Sequence, residues 1–310
     1  MTYHREIGDD QPKVELGDAS ALAGALGAGA LGPTSLTTTT AQNTRSLLTT
    51  ILGEFVLPTG GAAWTQTLVR ALDLVGVREK AARQTIARMH DQGWLDRTRS
   101  GRQTRWSLTP ATMDMLRLGA ERIYGFGQGL HRWDGRWIVV LASVPESDRG
   151  ARYRMNVGLR WAGFGSLGQG SWLSPWTVQE DAAVKTLADL GINATSFVAE
   201  LGKLGDGREL SAQAWDLPVL RRRYESFLDE TADLSAGETD GPRAGSELTR
   251  LVHRWRQFPF LDPDLPLELL PADWPGPRAA ARFSHLRARL LTPATNWWVD
   301  TELHFGVPPR

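Results

Sequence analysis

From Thr44 to Leu108 the spacing of apolar residues changes from helical to alternating, and that change predicts an order of elements. Leu47, Leu48, Ile51, Leu52 and Phe55 form a helical stripe that stops before Pro58 and Gly60-Gly61. Trp64 to Leu74 is expected as a second helix, and Gly76 falls in the turn before a third, about Arg78 to Gln92. In that third helix Ala82, Ile86 and Met89 sit at i, i+4 and i+7, one buried face, which turns Lys80, Arg83, Gln84 and Arg88 outward. Gly93 ends the helix. Trp94 and Leu95 alternate into a strand, and RTRSGRQTRWSL turns over Ser100-Gly101 into a second one. Helix, turn, helix and hairpin, in that order, are the parts of a winged helix-turn-helix DNA-binding domain. The plainer reading, a solvated helix beside a basic hairpin, leaves the agreement between element order and charge unexplained.

Farther along, the pattern shifts to short β-rich runs and then to helices. Thr109 and Pro110 read as the cap and first residue of a helix reaching about Tyr124. RWIVVLASVPE, Arg136 to Glu146, reads as a buried strand. A helix over about Arg149 to Ala162 follows, with Tyr153, Val157 and Trp161 four residues apart on one side. GFGSLGQGSWLSPW gives a Gly-rich turn and a strand around Ser171 to Pro175, then a helix near Gln179 to Leu190 and a last strand, Ala194 to Leu201. This order suggests a small sheet with helices on one face, of ferredoxin-like type. Gly202 to Glu209 has the composition of a linker. Helices are expected at Pro218 to Leu234, Glu247 to Phe258 and Arg278 to Leu291, with the acidic SAGETDGPRAG loop between the first two. The six prolines of PFLDPDLPLELLPADWPGP imply an extended segment packed on the body, while WWVDTELHF is compatible with a strand or a tail.

The resulting organisation is a disordered leader (1–42), a winged-helix domain (43–124), a ferredoxin-like central domain (125–203) and a helical C-terminal domain (204–310), an α+β chain overall. The leader is Ala/Gly-rich and then Thr-rich, with little large apolar surface to offset chain entropy, although a short helix could form over Ala19 to Leu31. Charge sharpens the picture. The 310 residues carry 35 basic and 35 acidic side chains. Residues 43–110 alone hold ten Lys or Arg against five acids, a net +5, so the remainder is net −5. A basic module on an acidic body suits a polyanion at one end and argues against a membrane surface. The chain has no cysteine, which excludes a disulfide framework and thiolate chemistry and suits a reducing cytoplasm. No apolar run approaches the roughly 20 residues of a membrane span.

Other chemistry is weakly signalled. Gly163, Gly165 and Gly168 match GxGxxG with Asp189 downstream, but a helix precedes them and a strand follows, the reverse of a dinucleotide site. The six histidines form no ligand pair at i, i+3 or i+4, so no metal site is expected. No GxSxG marks a nucleophile. The Arg221-Arg222-Arg223 run reads as a solvated helix face rather than a second DNA contact. Thirteen tryptophans are many, and Trp133, Trp137, Trp161, Trp172 and Trp176 are candidates to wall an apolar effector pocket, with core packing as the competing reading.

Together, SLLTTILGEFVLPTGGAAW, the third helix with DQGWL, WDGRW at Trp133 to Trp137, LRWAGFGSLGQGSWLSP at Leu159 to Pro175 and LDPDLPLELLPADWPG at Leu261 to Gly276 resemble the phenylacetic-acid-degradation repressors, the PaaX-type regulators. The resemblance covers about Ser46 to Leu291. It implies a winged helix, a ferredoxin-like domain similar to the Cas2 nuclease fold and a helical C-terminal domain. It further implies a homodimeric repressor of a catabolic pathway, released from double-stranded operator DNA by an aryl-CoA thioester, typically phenylacetyl-CoA. A Cas2-like nuclease activity is not expected, because Arg136 to Val144 carries no acid to hold a metal. The expected base readers are Arg83, Gln84 and Arg88, with Lys80 beside them. Arg97, Arg99, Arg102 and Arg105 are expected on phosphate, and Gln103 joins them on the hairpin. The chain is read as a regulator with no enzymatic role and no cofactor; a nucleotide-binding enzyme using Gly163 to Gly168 and an effector-independent DNA-binding protein are the alternatives.

Overall fold

The computed structural model describes residues 40–127, 132–145, 147–235 and 240–306. Helix α1, Thr40–Ile51, continues into a π-helical turn, Leu52–Val56, and buries Leu48, Ile51, Leu52 and Phe55 as the stripe requires. It starts inside the expected leader, of which residues 1–39, with the Ala19 to Leu31 helix, lie outside the described residues. A short strand the periodicity did not show, β1 (Ala62–Trp64), precedes α2 (Thr65–Leu74) and α3 (Glu79–Asp91). Strands β2 (Leu95–Ser100) and β3 (Gln103–Leu108) form the hairpin, and β1 adds to β3, giving the sheet order β1-β3-β2. Gly76 and Gly101 both adopt positive φ, 90° and 59°, in the turns before α3 and at the hairpin tip. Helix α4, Pro110–Gly125, is capped by Thr109, whose hydroxyl accepts from the Thr112 N–H.

The central module is β4 (Arg136–Ala142), α5 (Arg149–Trp161), β5 (Gly165–Gly168), β6 (Ser171–Ser174), α6 (Glu180–Asp189) and β7 (Ala194–Glu200). Its sheet order, β5-β6-β4-β7 with antiparallel pairings, is the ferredoxin-like arrangement. One expectation is corrected. The Gly-rich stretch is a strand, not only a turn: the chain reverses at Gln169 and Gly170, both at positive φ, and β5 pairs with β6. In α5 the buried face is Ala151, Met155 and Leu159, whereas Tyr153 is 71% exposed. Both sets recur every four residues, and the structure buries Ala151, Met155 and Leu159, while α5 and α6 approach closely at Gly158. A Cβ at Gly158 would lie 2.3 Å from Thr186.

The C-terminal module also departs from its outline. Helix α7, Gly207–Ala214, begins inside the expected linker, nucleated by Asp206, which accepts from the Arg208 and Glu209 N–H groups. Helix α8 is Leu217–Glu230. Helix α9, Gly241–Trp255, starts within the acidic loop because Asp240 caps it ahead of Pro242. After α10, Phe258–Leu261, the proline-rich segment packs as expected, with Leu265, Leu269, Leu270 and Trp274 buried. The last helix, α11, is Gly276–Gly306 and runs straight through Pro293, taking WWVDTELHF with it. Proline removes one hydrogen bond. Leu290, Ala294 and Trp298, fully buried at i, i+4 and i+8, hold the helix across that gap.

The winged helix does not have a core of its own. Its buried residues, from Leu47 to Ile123, form one hydrophobic cluster with those of α8, α9 and α11. Helix α9 packs on α1 and α2, and Ser246 donates to the Leu74 carbonyl at 2.9 Å. The seam is also polar. Glu54 pairs with Arg287 at 2.8 Å and accepts from the Tyr124 hydroxyl, while the Arg287 guanidinium lies 4.1 Å from the Tyr124 ring centroid. Arg256, 3% exposed, donates to Ser46, and His253 Nδ1 meets the Thr50 hydroxyl at 3.2 Å.

Burial, with the nearby charges of Arg256 and Arg254, pushes the His253 imidazole down to about 3. A depressed histidine contributes stability that is complete above its unfolded value, about 6.5, and is lost as pH falls toward 3. The expected loss from pH 6.5 to 5 is about 2 kcal/mol. Asp262, which burial pushes up to about 6 despite the Tyr224 hydroxyl bonded to it, acts in the opposite sense over the same window. Urea denaturation of His253→Gln beside wild type cancels the Asp262 contribution; the variant should show the shallower decline, and parallel curves would contradict a buried neutral histidine.

Candidate nucleic-acid interface

Helix α3 buries Ala82, Thr85, Ile86 and Met89, and that face fixes which side chains project. Lys80, Arg83, Gln84 and Arg88 are all exposed. Arg83 is not free: its Nε donates to Glu79 Oε1 at 2.8 Å, one helical turn back. The pair is solvated on both sides, so it holds a rotamer more than it stabilises the fold.

The hairpin carries its cations on both faces. In the β2–β3 register Arg97 lies opposite Trp106 and Arg99 opposite Thr104, while Arg105 lies opposite Thr98. Alternation therefore sets Arg97 and Arg99 on the face of Leu95, Trp106 and Leu108, and Arg105 and Gln103 on the other. Arg102 sits in the tip. All four arginines are exposed, and Gln103 is half-buried. Arg105 lies 5.4 Å above the Trp64 ring.

Several residues that periodicity did not single out lock the helix and hairpin into one body. His90 Nδ1 meets the Leu95 carbonyl at 2.6 Å, and its ring stands edge-on to Trp106 at 5.6 Å. Trp106 Nε1 donates to the Thr65 hydroxyl at 2.9 Å, which in turn donates to the Thr104 carbonyl. Helix α11 closes the back: the Trp64 N–H donates to Glu302 Oε1 at 2.9 Å, and Trp298 stacks on Phe55. The signals for these residues in the sequence are the helical stripe that holds Phe55 and the alternation of Trp106 with Leu108. The long-range partners carry none.

The five candidate effector tryptophans are spread over three environments. Trp133 and Trp137 meet edge to face at 5.4 Å on the sheet surface that packs against α7. Trp172 is buried on the opposite surface, beneath α5 and α6. Trp161 stands against Phe260, and Trp176 Nε1 donates to the Asp264 carbonyl, so both meet the C-terminal segment. The indole N–H groups of Trp137 and Trp172 are buried without a hydrogen-bond partner among the described residues. Clefts elsewhere among the described residues include one of about 410 Å³ between α6 and β7 and one of about 250 Å³ between α8 and the end of α9 with α10. None of the five lines either.

Gly165, in the glycine motif, packs against α7; a Cβ there would lie 2.6 Å from Ala214 and from Trp215. Among the described residues no group of three or more His, Cys, Asp or Glu side chains could hold a metal, and no helix is long and apolar enough to cross a membrane.

Comparison with known proteins agrees with this three-part architecture. Residues 43–112 match the family model described as PaaX-like protein, residues 130–211 the PaaX protein central Cas2-like domain, and residues 215–300 the PaaX-like protein C-terminal domain. The transcriptional repressor PaaX of Escherichia coli (strain K12) is 30% identical over 243 residues, 74% of this chain and 75% of the repressor. In fold, the chain is similar to the uncharacterized protein Rv0674 from Mycobacterium tuberculosis, with a TM-score of 0.57 and 22% identity over 83% of this chain and 98% of that one. A ferredoxin-like domain between a winged helix and a helical bundle, matched along nearly its whole described length, places the chain in the PaaX-like family of transcriptional regulators, a family of repressors and not of enzymes.

Proposed function

We propose that the protein is a cytoplasmic, homodimeric repressor that binds double-stranded operator DNA through α3 and the β2–β3 hairpin and releases it on binding a small-molecule effector. The carrying observation is the cationic surface of α3 and the hairpin, held as one body by His90, Trp106 and Thr65. Helix α3 enters the major groove, with Arg83, Gln84 and Arg88 at base edges and Lys80 on phosphate. The hairpin arginines grip phosphate or the minor groove, and their placement on both faces suits a wing lying along a groove edge. Two copies read two half-sites. The edge strand β7 supports the second copy: all seven of its residues are exposed, Phe197 by 52%. An aryl-CoA thioester such as phenylacetyl-CoA is the effector class taken from the family resemblance, and the regulated genes would then belong to an aromatic catabolic pathway.

Fluorescence anisotropy on operator and on unrelated duplexes, over a range of salt, tests the reading. Arg83→Ala should cost about 1–3 kcal/mol on operator and relax discrimination, whereas Arg102→Ala should weaken binding to every duplex and reduce the salt slope by about one. Wild-type affinity and slope in both variants would remove the assignment of these residues. Adding phenylacetyl-CoA to the wild-type complex should release the DNA; no release rejects that ligand.

A further inference from the structure

Helix α8 presents Arg222, Arg223 and Phe227 to the cleft it forms with α10 and the C-terminal end of α9, where Phe258, Leu261 and Arg254 complete the wall. The floor is aromatic: Phe227 and Phe258 are each 4% exposed, and Phe258 stacks on Tyr224 at 4.2 Å. The rim is cationic and unevenly used. Arg221 is tied to Asp273 and Glu225, and Arg254 to Glu230. Arg222 and Arg223 form no ion pair with any described residue. Two uncommitted guanidinium groups beside an apolar floor can take a carboxylate or phosphate in two-point fashion, and the floor strengthens that attraction by excluding water. A volume of about 250 Å³ is less than drug-sized ligands need, so the cleft fits a ring with its anionic head, or one such end of something larger.

The cleft is linked to the winged helix through Trp255. Phe227 and Phe258 pack on Trp255 at 5.4 and 5.1 Å, and Trp255 Nε1 donates to the Ile123 carbonyl of α4 at 3.1 Å. Helix α9, which ends in Arg254 and Trp255, is the helix that backs α1 and α2. A molecule wedged between α8 and α10 therefore bears on a side chain already bonded to the DNA-binding module.

We propose that this cleft binds a small organic anion, a carboxylate or phosphate head on a flat apolar body, and that its occupancy lowers operator affinity through Trp255 and α9. The inference rests on the reading of the protein as an effector-released repressor. Isothermal titration calorimetry of the full chain without DNA, using phenylacetate, phenyl phosphate and inorganic phosphate, tests the site; anisotropy of the operator complex with the same probes tests the coupling. At least one aromatic probe should bind wild type more tightly than inorganic phosphate, and the stronger of the two identifies the head. Arg222→Ala/Arg223→Ala should weaken it by about tenfold to a hundredfold, and Arg221→Ala should leave it unchanged. The same double variant should bind operator normally and resist release. No heat from either aromatic probe in the millimolar range, or equal heat from wild type and the double variant, overturns the site. Binding without any change in operator affinity overturns the coupling. Failure of the unliganded wild type to bind operator instead overturns the repressor reading, which the calorimetry does not touch.

Discussion

Replacing Arg287 by alanine is expected to destabilise the protein by about 3 kcal/mol at neutral pH, although Arg287 lies 233 positions from its partner and is itself partly exposed. The reason is what stays behind. Glu54 has a side chain only 1% exposed, and burial already raises its carboxyl above the ordinary value even with Arg287 and the Tyr124 hydroxyl opposing the shift. Without Arg287 the buried carboxylate has a single donor, so it must ionise at a penalty or take up a proton. A raised carboxyl contributes stability that is present below its unfolded value and is lost as pH rises through its folded value. The Arg287→Ala deficit should accordingly be larger at pH 8 than at pH 6. Glu54→Gln keeps an acceptor for Tyr124 and removes the charge, and combined with Arg287→Ala it should recover most of the loss. Urea denaturation at the two pH values measures all of this; a deficit independent of pH and unaffected by Glu54→Gln would mean the pair is only a surface contact.

The second large effect is expected at Trp298. Its side chain is fully buried, stacks on Phe55 at 5.3 Å and donates to the Thr59 hydroxyl at 3.2 Å. Trp298→Ala should cost about 3–5 kcal/mol. It should also act at a distance along the chain: amide hydrogen exchange over residues 52–64 should accelerate, and operator binding should weaken even though Trp298 lies in neither α3 nor the hairpin. Unchanged protection of that segment in a folded variant would show that α11 does not hold the winged helix.

The parts of this architecture that could be read in the sequence are those where one period dominates. Ala82, Ile86 and Met89 do define the buried face of α3, and Thr109 and Pro110 do start α4, because cap and spacing are local. Where two sets of residues share a spacing, tertiary packing chooses: α5 buries Ala151, Met155 and Leu159 and leaves Tyr153 outside. Strand β5 was hidden by its glycines, which carry no alternation to detect. The half of helix α11 that follows Leu291 was hidden by Pro293, a local cost that Leu290, Ala294 and Trp298 outweigh; the half before it is the helix expected over Arg278 to Leu291. In the candidate interface the outward cations were legible, but Glu79 holding Arg83, His90 bonded to Leu95 and Glu302 bonded to Trp64 depend on side-chain contacts that spacing alone does not rank.

Helix α11 has a practical meaning for anyone exchanging DNA-recognition modules between related regulators. At 31 residues it is a rod about 46 Å long, rooted among α8 and α9 and ending against β1. A chimera cut after α4 would transplant the proposed reading head without the strut that completes its core, leaving Phe55, Thr59 and Trp64 facing another protein's helix. Swapped specificity should therefore travel only when the donor's last helix, or at least its Phe55, Thr59 and Trp64 contacts, travels with it.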